Sequence, residues 1–140
     1  MQLSLITLDG VKVNDEVYEV LVPTPEGTIA IFPGHMRMVA LADNGVVSIR
    51  HKKNDTDEAM EHFATYGGII EVTPTSLKIL VDEADTADEI TEAESQSALE
   101  RAEAMKRDAK DQVELEKAQT MIDRHAVRLK VAGLRRRHHN

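Results

Sequence analysis

The stretch that decides the fold is Glu26-Gly27-Thr28-Ile29-Ala30-Ile31-Phe32-Pro33-Gly34-His35, a short apolar segment between two turn signals. Gly27 allows a tight turn before the segment, and Pro33-Gly34 fixes φ and then permits a positive φ after it. Between the turns, two isoleucines alternate with an alanine and a phenylalanine, which predicts a β-strand with two distinct faces. His35 then follows on a rigid loop.

The residues around this segment, up to about residue 82, repeat the same pattern. Apolar or alternating runs recur about every 8–12 residues, and Gly, Pro and Asn separate them. The separators include Asp9-Gly10, Asp43-Asn44-Gly45 and Gly67-Gly68. This spacing is typical of an all-β sandwich or barrel, which we assign to residues 1–84.

The composition changes in residues 84–140, which contain no Pro and only one Gly, Gly133. Helix-forming residues dominate there. Two series at alternating spacings of three and four residues predict two helices that pack along a seam. The series are Thr91, Ser95, Ala98, Ala102, Met105 and Ala109, then Leu115, Ala118, Ile122, His125, Leu129 and Ala132. The phase changes near residues 108–111, so we expect residues 85–140 to form an antiparallel helical hairpin with its turn there.

This hairpin is expected to be weakly held. Its seam consists largely of Ala and Ser, which bury little apolar surface at roughly 25 cal/mol per Å². The expected turn contains no Gly or Pro, and each of its residues tolerates a helix. We therefore expect a hairpin that is able to open into a longer helix.

Composition excludes several classes of function. The chain has 140 residues, a net charge of -8, 3% aromatic residues and no Cys. The lack of Cys removes disulfides, thiolate metal sites and Cys nucleophiles, and the acidic, aromatic-poor composition argues against nucleic acid as a partner. No apolar run approaches the roughly 18 residues of a membrane span. The first residues lack the basic and apolar regions of a signal peptide.

Charge is distributed unevenly in the helical half. Residues 82–100 contain eight acidic residues and no basic one, whereas residues 115–140 contain seven Lys or Arg against two acids. Lys117, Arg124, Arg128 and Arg135 form one stripe of the second helix. This stripe is either a solvated face with cations near the negative end of the helix dipole, or a docking site for an acidic protein. Nucleic acid is a third alternative that the net charge disfavours.

Catalytic motifs are lacking. The sequence contains no P-loop, dinucleotide-binding glycine motif, nucleophile elbow or zinc-protease motif. His35 suits a general base by type, but a loop-fixing or interface role fits its position better. His51, His62 and His125 lie far apart, and His138-His139 is a terminal pair rather than a zinc site. We therefore predict no catalytic residue, no metal site and no cofactor.

The chain resembles, over essentially its full length, the epsilon subunit of the bacterial F-type ATP synthase. The resemblance rests on an ordered set of motifs followed by a helical hairpin. The motifs are Val20-Leu21-Val22-Pro23-Thr24-Pro25-Glu26-Gly27, Ile29-Ala30-Ile31-Phe32-Pro33-Gly34-His35, Gly45-Val46-Val47, Tyr66-Gly67-Gly68-Ile69-Ile70-Glu71-Val72, Leu77-Lys78-Ile79-Leu80-Val81-Asp82 and Arg128-Leu129-Lys130-Val131-Ala132-Gly133.

The resemblance implies a flattened sandwich of about ten strands followed by a two-helix domain. It implies a non-catalytic rotor subunit of the central stalk that couples transmembrane proton flow to ATP synthesis. The implied partners are the gamma subunit, the proteolipid ring and the alpha and beta subunits of the catalytic head. The implied location is peripheral, on the cytoplasmic face of a bacterial inner membrane. The alternative is a free-standing β-sandwich adaptor with a helical protein-docking arm.

The resemblance also suggests roles for individual residues. The residues expected at the contact with the ring or with gamma are Glu26, Thr28, Pro33, Gly34 and His35. The stripe formed by Lys117, Arg124, Arg128 and Arg135 would meet an acidic loop of the beta subunit, where the family's helices restrain ATP hydrolysis.

Two stretches depart from the family pattern. Met36-Arg37-Met38 stands where the family usually has Ala-Pro-Leu. A nucleotide-binding motif of some members, Ile/Leu-Asp-x-x-Arg-Ala, is altered, because its acid is replaced by Thr91 and its arginine by Glu94. Since a carboxylate repels phosphate, we expect ATP binding to be weak or absent.

Overall fold

The computed structural model describes the backbone of residues 1–139 and the side chains of residues 1–134. Eight strands are followed by two helices. The strands are β1 (Gln2–Thr7), β2 (Gly10–Glu16), β3 (Glu19–Thr24), β4 (Gly27–Ile31), β5 (Met38–Ala42), β6 (Gly45–Arg50), β7 (Glu61–Val72) and β8 (Ser76–Thr86). The helices are α1 (Glu92–Arg107) and α2 (Gln112–His139), and short 3₁₀ turns occupy Asp57–Ala59 and Ala87–Glu89.

The strands form one sheet that folds over into two layers. The pairing order is β2-β1-β8-β7-β6-β3-β4, and β5 pairs with β7. All pairs are antiparallel except β1 with β8. The first part of β7 pairs with β6 and its last part pairs with β5, so β7 and its neighbour β8 run through both layers. We call the layers the β1 layer (β2, β1, β8, β7, β5) and the β3 layer (β4, β3, β6, β7, β8).

The expected sandwich is confirmed, and its sheet is not closed into a barrel. It has eight strands instead of about ten because β7 and β8 each contribute a segment to both layers. Aliphatic side chains from both layers fill the core, as the low aromatic content requires, and Phe63 is the one phenylalanine among them. Leu3, Leu5 and Ile79 of the β1 layer and Val20, Ile31 and Val47 of the β3 layer are fully buried.

The fold-over between the layers depends on glycine at the middle of β7. Gly67 and Gly68 have φ values of 51° and 151°. A Cβ atom on Gly68 would lie 1.9 Å from the carbonyl oxygen of Leu80. No other residue therefore fits where β7 bends across β8.

The deciding stretch adopts the predicted strand. β4 begins at Gly27, whose φ is 120°, and the chain leaves it through Pro33 and Gly34, whose φ is 87°. Ile31 is buried while Ala30 is exposed, as the alternation predicts. The amide of Gly34 donates to the carbonyl of Pro74 at 2.8 Å, which fastens the loop to the turn between β7 and β8.

The helical hairpin is confirmed, with its turn at residues 108–111. The seam is formed by small residues, and Ser95, Ala102 and Ala118 are buried. Two expected seam positions differ: Thr91 is the exposed residue before α1, and Met105 is 42% exposed. Both lie toward the ends of α1, where the small residues of the seam cover little of their surface.

Candidate functional site

A row of apolar side chains crosses the outer face of the β1 layer. Strand register places its members side by side, since each residue pairs with the next one in the row. Each belongs to the face opposite the core, because side chains alternate along a strand. The members of this apolar row are Val11, Ile6, Leu80, Ile69 and Leu41, from β2, β1, β8, β7 and β5 respectively.

The apolar row is open to solvent at Val11, Ile69 and Leu41, whereas Ile6 and Leu80 between Val11 and Ile69 are half-buried. Val11 is 62% exposed, Leu41 is 64% exposed and Ile69 is 43% exposed, and Val39 beside Leu41 on β5 is 73% exposed. With strands about 4.8 Å apart, the row extends over roughly 19 Å. Exposed apolar side chains that lie side by side on one face of a sheet are typical of protein–protein contact sites.

The residues predicted at the ring or gamma contact fall into two groups. Glu26 and Thr28 lie at the start of β4, and Pro33, Gly34 and His35 lie beyond its end. A strand of five residues separates the groups by roughly 15 Å. The structure therefore places these five residues in two groups, one at each end of β4.

The first group adjoins the apolar row. Glu26 and Ile29 line a cleft of about 420 Å³ with Met38, Ala40 and Leu41 of β5. Met38 packs against the core, whereas Met36 is 74% exposed. His35 is half-buried, and its Nδ1 atom lies 2.7 Å from the carbonyl oxygen of Met36, so the ring is held against its own loop. This contact fits the loop-fixing alternative, and the interface role of His35 stays a prediction.

The opposite face of the sandwich is covered by the hairpin. Ala64 and Tyr66 of β7 and Val131 of α2 are buried together in a small apolar cluster. Val46, Ala87, Ile90 and Val127 pack around them. We call this contact, together with the polar groups beside it, the hairpin–sandwich interface.

Two arginines of α2 form the polar part of this interface. Arg128 donates to Asp85 Oδ2 from Nη2 at 2.8 Å and from Nε at 3.2 Å. Arg124 forms a longer ion pair with Glu83, at 3.6 Å between Nη2 and Oε1. The guanidinium of Arg124 also lies 5.2 Å from the centre of the Tyr66 ring, within range of a cation–π contact. The Tyr66 hydroxyl donates to the Arg124 carbonyl at 3.1 Å.

Electrostatics at the interface favour its closed state. Burial raises the pKa of Tyr66 to about 12, so its hydroxyl remains a donor at physiological pH. Burial works against the charge of Arg128, but the hydrogen bond and charge of Asp85 outweigh it and raise the pKa of Arg128 above its ordinary value. The ion pair is partly shielded from water, with side chains 28% and 18% exposed.

The predicted basic stripe is divided by this interface. Arg124 and Arg128 pair with acids of the sandwich, while the side chain of Arg124 remains 40% exposed, and the docking role of the stripe stays a prediction. Lys117 is exposed and lines a separate cleft between the helices with Arg101 and Glu114. The side chain of Arg135 lies outside the described residues.

The altered nucleotide-binding residues lie in a cleft at the base of the hairpin. Thr91 and Glu94 line this cleft of about 400 Å³ with Glu89, Arg101, His125 and Arg128. Two carboxylates thus share the cleft with the two arginines. The expectation of weak ATP binding stays a prediction.

Other kinds of site find little support in the structure. Among the side chains of residues 1–134, His, Asp and Glu form no group of three placed to hold a metal ion. Neither helix in that part of the chain has the length and apolarity needed to cross a membrane.

Sequence reasoning missed the apolar row and the sandwich side of the hairpin interface. Leu41, Ile69 and Leu80 belong to runs that are apolar on both faces, but only strand register reveals that they form one row. Asp85 lay within the acidic segment opposite the basic helix, so the charge asymmetry contained a signal for its pairing with Arg128. Tyr66 had no signal of its own.

Comparison with known proteins agrees with this architecture. A family model for the β-sandwich domain of the ATP synthase delta/epsilon chain matches residues 1–87. The ATP synthase epsilon chain of Herpetosiphon aurantiacus is 35% identical over 136 residues, covering 97% of this chain and 96% of that protein. The epsilon chain of Halalkalibacterium halodurans is 34% identical over 134 residues, covering 95% of this chain and 97% of that protein.

A solved structure shares the fold. A chain of the Euglena gracilis mitochondrial ATP synthase, solved by cryo-EM with its OSCP, F1 and c-ring, superposes with a TM-score of 0.81 at 21% identity. The superposition covers 94% of this chain and 80% of the other. Together, the matched sandwich and the relatives aligned over nearly their whole length show that this chain belongs to the ATP synthase epsilon-chain family.

Proposed function

We propose that this chain is a rotor subunit of the central stalk of an F-type ATP synthase and couples transmembrane proton flow to ATP synthesis. An epsilon chain is a non-catalytic subunit of that rotary complex, which agrees with the lack of catalytic motifs in this sequence. The chain would associate peripherally with the cytoplasmic face of a bacterial inner membrane through its partners.

The observation that carries the proposal is the apolar row on the β1 layer. The helices cover the opposite face, so the row is the large apolar surface of the sandwich left for a partner. We assign this face to the gamma subunit. A coupling subunit must be fixed to the rotor without slipping, and a rigid sheet face with closely spaced apolar side chains suits that requirement.

The two groups flanking β4 would then serve separate contacts. Glu26 lies beside Leu41 of the apolar row, and Pro33, Gly34 and His35 form a fastened loop at the far end of the strand. Since roughly 15 Å separates the groups, one contact with gamma and one with the proteolipid ring suits them better than a single shared contact.

Charge introduced into the apolar row tests this assignment. We expect the Leu41→Lys, Ile69→Lys double variant to lose gamma-subunit binding by more than about tenfold, since central apolar contacts typically contribute 2 kcal/mol or more. Binding is measured by titrating purified gamma subunit onto the immobilised chain.

The control is Val113→Lys, which adds charge at an exposed apolar position on α2 (76% exposed). It should bind gamma as the wild type does. If the double variant keeps its fold by circular dichroism and still binds gamma normally, the apolar row is not the docking face. Failure of the wild-type chain to bind gamma at all would favour a free-standing adaptor.

A second proposed role is restraint of ATP hydrolysis by the helices. Lys117, Arg124, Arg128 and Arg135 would contact acidic residues of the beta subunit after the hairpin opens. In reassembled enzyme lacking residues 88–140, we expect faster ATP hydrolysis with coupling retained. An unchanged rate of hydrolysis would remove the inhibitory role and leave the coupling role intact.

A further inference from the structure

His125 occupies an unusual position on the hairpin seam. It is half-buried on α2, and its Nδ1 atom is enclosed without a hydrogen-bond partner among the described residues. The imidazole lines the cleft between α1, α2 and the turn Ala87–Glu89. An enclosed ring nitrogen with no acceptor beside it favours the neutral form of the ring.

The charges around His125 come from each element that forms the cleft. Arg101 projects from α1, and Arg124 and Arg128 are neighbours on α2. Glu94 of α1 and Glu89 of the preceding turn are the acids that line the same cleft. Asp85 accepts a hydrogen bond from Arg128. Its negative charge therefore offsets the charge of Arg128 more than it attracts the imidazole of His125. Burial first, and then repulsion from the three arginines, lower the pKa of His125.

We propose that His125 is a proton-sensitive element of the hairpin, and that its protonation drives α1 and α2 apart from each other and from the sandwich. In the closed hairpin the added charge would sit in an enclosed position beside three cations. In the open hairpin water solvates the same imidazolium. The inference concerns the isolated chain and does not depend on the proposed function.

The direction of the effect follows from linkage. The open form binds the proton more readily than the closed form, so acidification below the ordinary histidine pKa of 6.5 favours opening. One proton is involved, so the opening equilibrium constant rises by up to about tenfold per pH unit. Below the lowered pKa of the closed state, the effect levels off.

The test uses distances between spin labels on the full chain. The chain contains no Cys, so Ser97→Cys on α1 and Ala126→Cys on α2 provide two exposed labelling sites without further changes. Pulsed electron paramagnetic resonance between about pH 8 and pH 5.5 stays above the range in which carboxyl groups ordinarily titrate. We expect a population with a longer distance to grow as pH falls.

Three variants separate the proposal from a general acid effect. His125→Gln should remove most of the pH dependence while keeping the closed distance at high pH. His35→Gln, which changes a histidine on the sandwich far from the hairpin seam in sequence, should retain the wild-type response. Arg101→Gln removes one repelling charge at an exposed position and should weaken the response.

Two results would overturn the inference. One is a wild-type distance distribution that does not change with pH. The other is an unchanged pH response in His125→Gln. If His125→Gln fails to close at pH 8, the decision rests on Arg101→Gln and on the NMR titration of the His125 ring in the wild-type chain. A ring that titrates at or above 6.5 in the closed hairpin would contradict the proposal.

Discussion

The Asp85–Arg128 pair offers a direct measure of how strongly the hairpin is held. In Asp85→Ala, both hydrogen bonds from the Arg128 guanidinium are lost, and the cation stays in a site that is only 28% exposed. Asp85 faces outward from β8 beside the hairpin, so the sandwich core does not depend on its side chain. The change should therefore weaken the closed hairpin selectively.

The expected magnitude lies between two limits. Ion pairs in full contact with water contribute about 0–1 kcal/mol, whereas removal of one partner from a fully buried pair costs about 3–5 kcal/mol. The partial burial of this pair and its two charged hydrogen bonds place the loss at about 2 kcal/mol. The ratio of closed to open hairpin should accordingly fall by roughly 30-fold.

Native-state hydrogen exchange measures this directly. Amides of α2 near Val127 and Val131 should exchange faster in Asp85→Ala by up to roughly the same 30-fold factor, since α2 loses the packing that stabilises its hydrogen bonds when the hairpin leaves the sandwich. Amides of β1 and β3 should be unaffected. Asp82→Ala, which removes an exposed acid from the same strand, serves as the control and should leave α2 unchanged.

The reasoning fails if the α2 amides exchange at the wild-type rate in Asp85→Ala. It also fails if sandwich and helix amides accelerate together, because the hairpin would then open only by global unfolding. In that second case, the weak seam of small residues would not be the point at which the structure opens.

Three further predictions concern the stability of the sandwich, the titration of Tyr66 and the binding of ATP. Gly68→Ala should destabilise the sandwich by at least about 3 kcal/mol, because its Cβ would lie 1.9 Å from the Leu80 carbonyl oxygen. Thermal denaturation measures this loss. Gly133→Ala, which has open space around its Cβ, is the control. The raised pKa of Tyr66 stabilises the closed hairpin fully below pH 10 and progressively less as pH rises to about 12. Phenolate absorbance should show Tyr66 titrating at this high pH, and Tyr66→Phe should abolish that part of the titration. ATP should show no saturable binding to the isolated chain by calorimetry in the micromolar range, and such binding would contradict the role assigned to Glu94 in repelling phosphate.

Much of the architecture could be predicted because its signals are local. The turn at Gly27, the exit through Pro33-Gly34 and the alternation between them define β4 without reference to other strands. The helix break at residues 108–111 could be predicted because the seam positions of the two helices differ in phase there. The number of strands was overestimated for a non-local reason, since nothing local shows that β7 and β8 extend through both layers.

The functional surfaces were less predictable because they depend on register and on relative placement. Leu41 and Ile69 become neighbours only through the pairing of β5 with β7. Likewise, Arg124 and Arg128 were identified as part of a basic stripe, but the stripe alone did not show that they face Glu83 and Asp85. The His125 position was assigned correctly to the seam, while its enclosure among arginines requires the folded hairpin.

The placement of Arg124 and Arg128 has a consequence for the proposed inhibitory role. In the closed hairpin these cations are already paired with acids of the same chain, Asp85 and Glu83. An acidic segment of a partner would exchange one set of ion pairs for another, so the electrostatic difference between the two states would be small. The balance would then depend on the apolar cluster around Tyr66 and Val131 and on the seam of small residues. A small free-energy difference of this kind is what allows one added proton at His125, or one partner contact, to shift the population of hairpin states.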